Sequence, residues 1–375
     1  MSYDTIIIGA GSIGMAAGYY LTKKNNRVVL IDAYDPPHSE GSHHGDTRII
    51  RHAYGEGESY VPLALRAQEL WIELQKKSNK ELFLQTGVLN IGTSDSLFIK
   101  NVINSANEYA LPIEKLTAQE INNRWEGFHI PDDLVGCFEK KSGVLMSENC
   151  IRAYRDLANR NGATLLTNTI INRINIKDNE IIIDTNREAI KGKKLIVAAG
   201  KGTNEVLSMI DVKLPLQATR KTFSWLNVDE SIYKQSVFPA WVYDAYDKTY
   251  YGFPSIHHTG IKIGRHDGGL PTNSTKKLAP FGTFPEDEDD ISYITNQLFS
   301  KRTTHKEGKV CTYTNTPDGD FIIDTLPNHP NILVACGFSG HGFKFSSAIG
   351  ELLSEYVVEG HTSIDISSFS LNRFH

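Results

Sequence analysis

The sequence predicts an α/β protein whose first domain is closed by segments returning from far along the chain. Three observations predict this. An apolar strand at the N-terminus runs into a glycine-rich turn, a helix, a second strand and an acid. Far downstream, Lys194–Gly200 reads as a buried strand ending in small residues. A third strand–glycine–helix unit begins near Ile332 and passes through Gly337 to Gly342. At 375 residues the chain is long enough for two domains.

Taken in order, residues 3–8 form a short apolar run that reads as a buried strand. Gly9-Ala10-Gly11-Ser12-Ile13-Gly14 follows, then a helix from about Ser12 to Lys24 with Ala16, Ala17 and Gly18 on its early turns. Arg27 to Ile31 reads as the next strand and ends at Asp32. This is a Rossmann-like dinucleotide fingerprint in its required context. Gly9, Gly11 and Gly14 let the backbone approach a pyrophosphate at the helix N-terminus, and Asp32 takes a ribose hydroxyl. The nucleotide is NAD or FAD, and completion of the domain by returning segments favours a flavoprotein.

The helix near Val61–Lys77 carries Leu63, Ala67, Leu70, Trp71 and Leu74 on one face, as a core helix does. Tyr250–Pro254 and Gly260–His266 read as strands joined by a polar turn at His257, His258 and Thr259. By itself Lys262 in Gly-Ile-Lys-Ile-Gly reads as an outward residue on an alternating strand. The acidic run Glu286–Asp290 reads as a solvated loop or helix start. After the strand Asn331–Cys336 come Gly337, Gly340 and Gly342, then a helix from about Ser346 to Val358. Lys344 falls at or just before that helix, where the macrodipole disfavours a cation, so an anion is expected nearby.

Between Gly41 and Tyr54, His43, His44, Arg48, Arg51 and His52 lie within ten residues. A loop that concentrates like charge beside a nucleotide site is built to hold an anion or to stabilise negative charge formed in a reaction. The formal charge of -5 gives no reason to expect nucleic acid or an anionic membrane as partner. No apolar run approaches the ~18 residues of a membrane span. Cys137, Cys150, Cys311 and Cys336 have neither metal-type spacing nor a disulfide framework. A cytoplasmic protein without a metal is expected.

Longer stretches carry a family resemblance over nearly the whole chain. They are Pro36-Pro37-His38, Gly-Ser-His-His-Gly-Asp-Thr-Arg from Gly41, Arg-His-Ala-Tyr-Gly-Glu-Gly from Arg51 and Tyr-Tyr-Gly-Phe-Pro from Tyr250. Lys-Ile-Gly at Lys262, Cys-Thr-Tyr at Cys311, Asp-Phe-Ile-Ile-Asp at Asp320 and Gly-Phe-Ser-Gly-His-Gly-Phe-Lys-Phe from Gly337 continue it. Together they resemble the monomeric sarcosine oxidase and N-methyl-L-tryptophan oxidase family of flavin amine oxidases. Two stretches, eight residues from Lys262 and Phe369–Phe374, look closer to N-methyl-L-tryptophan oxidase.

The resemblance implies an FAD-binding domain built from residues 1–82, 146–212 and 309–375. A second, α+β catalytic domain would comprise 83–145 and 213–308, with an antiparallel sheet over the flavin. It implies FAD joined through its 8α carbon to Cys311, with Ser42, Thr47, Arg48, Gly340 and Lys344 also around the cofactor. Arg51 and Lys344 match the pair that holds a substrate carboxylate. Arg48 and His44 match residues near the flavin ring, with Thr47 in support, and Tyr251 and His266 match residues lining the substrate cavity. Lys262 matches the lysine that promotes reaction of the reduced cofactor with O2. His43 and His52 read as structural.

The implied reaction oxidises the N-methyl group of an amino acid, giving primary amino acid, formaldehyde and hydrogen peroxide from substrate, water and O2. The implied protein is monomeric. Sarcosine itself is the alternative substrate. Transfer of electrons to a quinone is a further one, disfavoured by the matching Lys262 and the lack of a basic amphipathic helix.

Overall fold

The computed structural model describes residues 2–177 and 180–374. The strand Ser2–Ile8 lies parallel to Val28–Ile31 on one side and to Ala189–Val197 on the other. Thr164–Leu166 extends the sheet past Val28–Ile31, and His329–Cys336 pairs in parallel with residues 195–197. Ile171–Lys177, Glu180–Thr185 and Ile322–Leu326 complete its eight strands through antiparallel pairings. The central strands are apolar on both faces, as parallel strands covered by helices must be. Ile6, Ile7, Leu30, Ile196 and Val334 are fully buried, each contributing roughly 1.5–3 kcal/mol.

Helices Ser12–Lys23 and Ser346–Glu359 pack together over this sheet. A Cβ on Gly350 would stand 2.5 Å from the Ala16 Cβ, so their close approach depends on that glycine. Helix Val61–Ser78 joins them with Leu63, Ala67, Leu70, Trp71 and Leu74 inward. The Trp71 indole N–H donates to the Lys344 carbonyl at 2.8 Å, so this core residue also holds the backbone of a site residue.

The second sheet has nine strands, antiparallel except where Ala240–Ala245 runs beside Val88–Thr93. Its long strand Gln217–Asn227 pairs with Ile261–Arg265, Leu270–Thr272 and Thr304–Asn315. Lys248–Phe253 lies between Ile261–Arg265 and Ala240–Ala245. Alternation divides this sheet by chemistry. Leu226, Trp241, Tyr243, Tyr250, Ile261 and Ile263 face an apolar core shared with Ile291, Ile294 and Leu298 of helix Glu286–Leu298. The opposite face carries Cys311 opposite Lys221, Lys262 opposite Trp225 and Phe253, and Tyr251 opposite Val242. Cross-strand partners share a face, so these side chains converge from five strands.

Lys262 therefore does alternate on its strand, but the outward face is roofed by the rest of the protein and the lysine is 2 % exposed. The acidic run also departs from expectation in one residue. It starts a helix, and Asp287 is buried in a two-pronged pair with Arg220, both contacts at 2.8 Å.

A third, small sheet joins Thr47–Ile50, Gly143–Met146 and Phe83–Leu84. Its first strand carries Arg48, and Arg51 follows it directly. Among the described residues no helix is long and apolar enough to cross a membrane.

Candidate active site

The helix Ser12–Lys23 begins at Gly11 with no side-chain cap and no acid in its first turn, which leaves its first N–H groups for a ligand. Gly9 has φ +92°, and a Cβ on Gly14 would lie 1.9 Å from the Gly9 carbonyl oxygen. The two glycines thus permit the tight turn and the close helix. Asp32 is buried and accepts from the N–H groups of Ala10 and Tyr34 at 2.8 and 2.9 Å. Burial opposes its charge, but His38 and these N–H groups outweigh burial and hold the carboxyl below its ordinary range. A cavity of about 510 Å³ passes Gly9, Gly11, Asp32, Ser42, Arg48, Gly200, Gly337 and Gly340. Open N–H groups, an ionised acid at the second strand end and a long glycine-lined trough fit an extended dinucleotide such as FAD.

A second cavity of about 340 Å³ adjoins it. Arg48, Tyr313, Gly340 and Phe343 line both, so the two spaces meet there. Gly340 has φ +81°, and a Cβ on it would lie 2.2 Å from the Tyr313 ring. The Arg48 guanidinium donates only to carbonyls, those of Thr47, Ser42 and His44 at 2.6, 2.6 and 2.8 Å. Its charge has no carboxylate partner among the described residues and is presented at the junction.

Cys311 lines the second cavity and is 4 % exposed. Burial pushes its thiol up, while Arg48, Lys262 and Lys221 pull the other way. Lys221 stands directly across the strand pair from Cys311, and its ammonium donates to the Asp267 and Gly268 carbonyls.

Lys262 lines neither cavity. Its ammonium lies behind Phe223 and Phe253, which do line the second, at 4.7 and 4.9 Å from their ring centres. It donates to the Gly45 carbonyl and, at 3.3 Å, to the carbonyl and hydroxyl of Thr47. Burial and then Arg48 drive its pKa well below the usual lysine range.

Arg51 is 3 % exposed and lines the second cavity. Its Nη2 is already paired, at 2.7 and 2.6 Å, with both oxygens of Glu56. Its Nη1 is buried with no partner. Lys344, in the turn Phe343–Phe345 before the last long helix, donates to the Tyr54 hydroxyl at 2.9 Å and the His341 carbonyl at 2.8 Å. The Tyr54 hydroxyl lies 2.9 Å from His341 Nδ1, and His341 Nε2 lies 3.1 Å from the Gly319 carbonyl. Since that carbonyl can only accept, Nε2 carries the proton and Nδ1 accepts from Tyr54. Burial lowers Lys344 to about 7, His266 to about 4 and His341 to about 3. At pH 7 Arg51 is thus charged, Lys344 is near its midpoint and both histidines are neutral.

Tyr251 and His266 line the same cavity, with His266 5.6 Å from the Tyr313 ring. Other expected residues fall elsewhere. His44 and Thr47 line neither cavity. His44 packs 5.6 Å from Phe223, and burial brings its imidazole to about 4. Ser42 lines the nucleotide cavity, and its hydroxyl donates to the Thr312 carbonyl. His43 also lines that cavity, and its ring accepts from the His38 N–H at 3.1 Å. His52 is buried beside Ser142 and Glu139, and Glu139 also accepts from the N–H groups of residues 52 and 53.

Sequence reasoning missed Glu56, Tyr54, Lys221, Asp244 and His341. Glu56 had a local signal, a lone acid between Gly55 and Gly57 beside a basic run. Asp244 and Lys221 had none, since only strand pairing brings them to the site.

The profile of the FAD dependent oxidoreductase family matches residues 4–356. The chain belongs to that family and is an FAD-dependent oxidoreductase. It is 46 % identical over 374 residues to monomeric sarcosine oxidase of Bacillus sp. (strain B-0618), covering 99 % of this chain and 96 % of that protein. It is 42 % identical over 376 residues to N-methyl-L-tryptophan oxidase of Escherichia coli (strain K12), covering both completely. Within the larger family, the chain is a member of the sarcosine oxidase and N-methyl-L-tryptophan oxidase group of flavin amine oxidases. Overall identity does not favour N-methyl-L-tryptophan oxidase over sarcosine oxidase. In fold it is similar to L-proline dehydrogenase from P. horikoshii, with a TM-score of 0.87 at 23 % identity over 100 % of this chain and 98 % of that one.

Proposed function

We propose that this chain is an oxidase of N-methyl amino acids that produces primary amino acid, formaldehyde and hydrogen peroxide. One observation carries the reading: the partnerless buried Nη1 of Arg51 beside the Lys344 ammonium, in a cavity that opens onto the dinucleotide trough. A guanidinium fork and an ammonium suit a carboxylate, which receives charged hydrogen bonds there. FAD would be held by segments 1–82, 146–212 and 309–375, through Gly9, Gly11, Gly14, Asp32, Ser42, Arg48 and Gly340. When bound, it supplies the two-electron oxidation of the N-methyl carbon and the transfer of those electrons to O2.

The chain's own groups do the rest. Arg51, through its open Nη1, and Lys344 fix the substrate carboxylate, and Glu56 on Nη2 competes for the same guanidinium. Tyr251 and His266 bound the space around the amine. The cations Arg48, Arg51 and Lys344 disfavour a protonated amine and so keep the electron pair that the reaction requires. Lys262 stabilises negative charge formed as O2 is reduced. Cys311 is the attachment point for the 8α carbon, with Arg48, Lys262 and Lys221 favouring its thiolate. His44 and Thr47 act one layer back, on Arg48 and Lys262.

The stretches from Lys262 and Phe369 favour N-methyl-L-tryptophan, and sarcosine is the alternative. The name of the monomeric relative supports a monomer, and the reduced-cysteine composition supports a cytoplasmic location. Acid precipitation tests the attachment: the yellow colour is expected to stay in the pellet and to move to the supernatant in Cys311→Ser. Colour released from the unaltered protein would refute the covalent link. Peroxide formation is then assayed with sarcosine, N-methyl-L-alanine and N-methyl-L-tryptophan, and absence of peroxide with all three would refute the activity.

A further inference from the structure

The second cavity has an acidic pole that the proposed reaction does not use. Asp244 and Thr249 are cross-strand partners on the face that carries Val242 and Tyr251, and all four line the cavity. One Asp244 oxygen accepts from the Thr249 hydroxyl at 2.8 Å. The other has no hydrogen bond, and the carboxylate has no ion-pair partner, among the described residues. Burial and the nearby Glu56 both work against its charge. A carboxylate held in that state at a cavity wall is completed best by a cation brought by the ligand.

In the reading above, Arg51 and Lys344, which line the same cavity, fix the ligand's carboxylate. With the carboxylate on Arg51 and Lys344 and the N-methyl carbon at the junction marked by Arg48, Tyr313 and Gly340, the side chain is left to the remaining wall. That remaining lining includes Val242, Asp244, Thr249 and Leu97, while Phe98 packs 5.3 Å from the Arg51 guanidinium. Resting on the N-methyl amino acid reading above, we propose that Asp244 is a specificity-determining residue for the substrate side chain, and that it makes a cationic chain of ornithine type preferred over an apolar chain of the same length.

A matched pair of substrates isolates this contact. Nα-methyl-L-ornithine and N-methyl-L-norleucine have side chains of the same length and differ in ending on an ammonium or a methyl group. In the native enzyme kcat/KM for the ornithine compound is expected to exceed that for the norleucine compound by about tenfold or more. Asp244→Leu should bring the ratio to about one or below, chiefly through KM. Asp244→Asn, isosteric and able to accept one hydrogen bond, should give an intermediate ratio and serves if the leucine variant fails to fold. Sarcosine, with no side chain, is the reference. A native ratio near one, or a ratio that Asp244→Asn leaves intact, overturns the inference. An equal fall for all three substrates, sarcosine included, would place Asp244 at the amine and also overturn it. If none of the three reduces the flavin under anaerobic mixing, the N-methyl amino acid reading itself fails and this inference with it.

Discussion

In the proposed reading Glu56 competes with a substrate carboxylate for the Arg51 guanidinium, so replacing it should tighten binding of any carboxylate ligand. The size follows from the pair's surroundings. Two unit charges about 4 Å apart attract by about 4 kcal/mol at an effective dielectric of about 20, and fully exposed pairs yield about 0–1 kcal/mol. The Arg51 side chain is 4 % exposed and that of Glu56 31 %, which places this pair between the limits. We take about 1.5–2 kcal/mol, or roughly 10- to 30-fold in Kd. Glu56→Gln keeps the shape and one acceptor while removing the charge. Methoxyacetate, the ether analogue of sarcosine, has no amine to oxidise, and its Kd is read by titrating the flavin absorbance. Arg51 holds the Glu56 carboxyl at about 2, below its ordinary 4.5, although burial opposes this. A depressed carboxylate contributes stability above its unfolded pKa, and that contribution is lost as pH falls from about 4.5 toward 2. Glu56 therefore stays ionised from pH 5 to 9, and the gain in Glu56→Gln is compared at pH 6, where Lys344 also carries its charge. Unchanged or weaker methoxyacetate binding in the variant would refute the reasoning.

Lys262→Met should leave anaerobic flavin reduction within a few-fold of normal and slow reoxidation by about 10²–10³, read by rapid mixing with O2; unchanged reoxidation removes its role. Lys344 titrates at about 7, depressed by burial from 10.5, so the free enzyme loses this cation as pH rises through 7. Carboxylate binding should then take up a proton above pH 7, and methoxyacetate Kd should rise with pH there; a flat profile to pH 9 contradicts this. By the same sign, the native state holds fewer protons than the unfolded chain between about 7 and 10.5, so this lysine raises stability with pH across that window. Asp287→Asn strands the buried Arg220 charge and should cost about 3–5 kcal/mol, seen as a lower thermal midpoint; a shift of less than a degree would show that the pair is not structurally important.

Legibility in the sequence followed the range of the interactions. The fingerprint was readable because its parts act within about 30 residues: Gly14 must clear the Gly9 carbonyl, and Asp32 bonds back to Ala10. The two strands flanking His257 and His258 were also readable, since both histidines take positive φ in the turn between them. The alternation of Lys262 was correct, yet period two says only that a residue faces away from its neighbours, not whether that side meets water or a roofed cavity. His44 was expected near the flavin ring, with Thr47 in support, by the family resemblance. They fall one layer back because side chains on that loop turn to different walls.

The sequence by itself determined a glycine-cradled dinucleotide site, the cation-rich loop at 41–54 and the family to which the chain belongs. Each is written in local spacing or in long unusual motifs. Tertiary structure alone decided that Glu56 holds Arg51, that Lys344 reaches the His341 ring through Tyr54, that Lys221 stands opposite Cys311, and that Asp244 lines the second cavity. The reason is physical. Whether a charge is compensated, buried or presented depends on strands and loops up to about 290 residues apart, brought together by burial of apolar surface that carries no label for the polar groups it encloses.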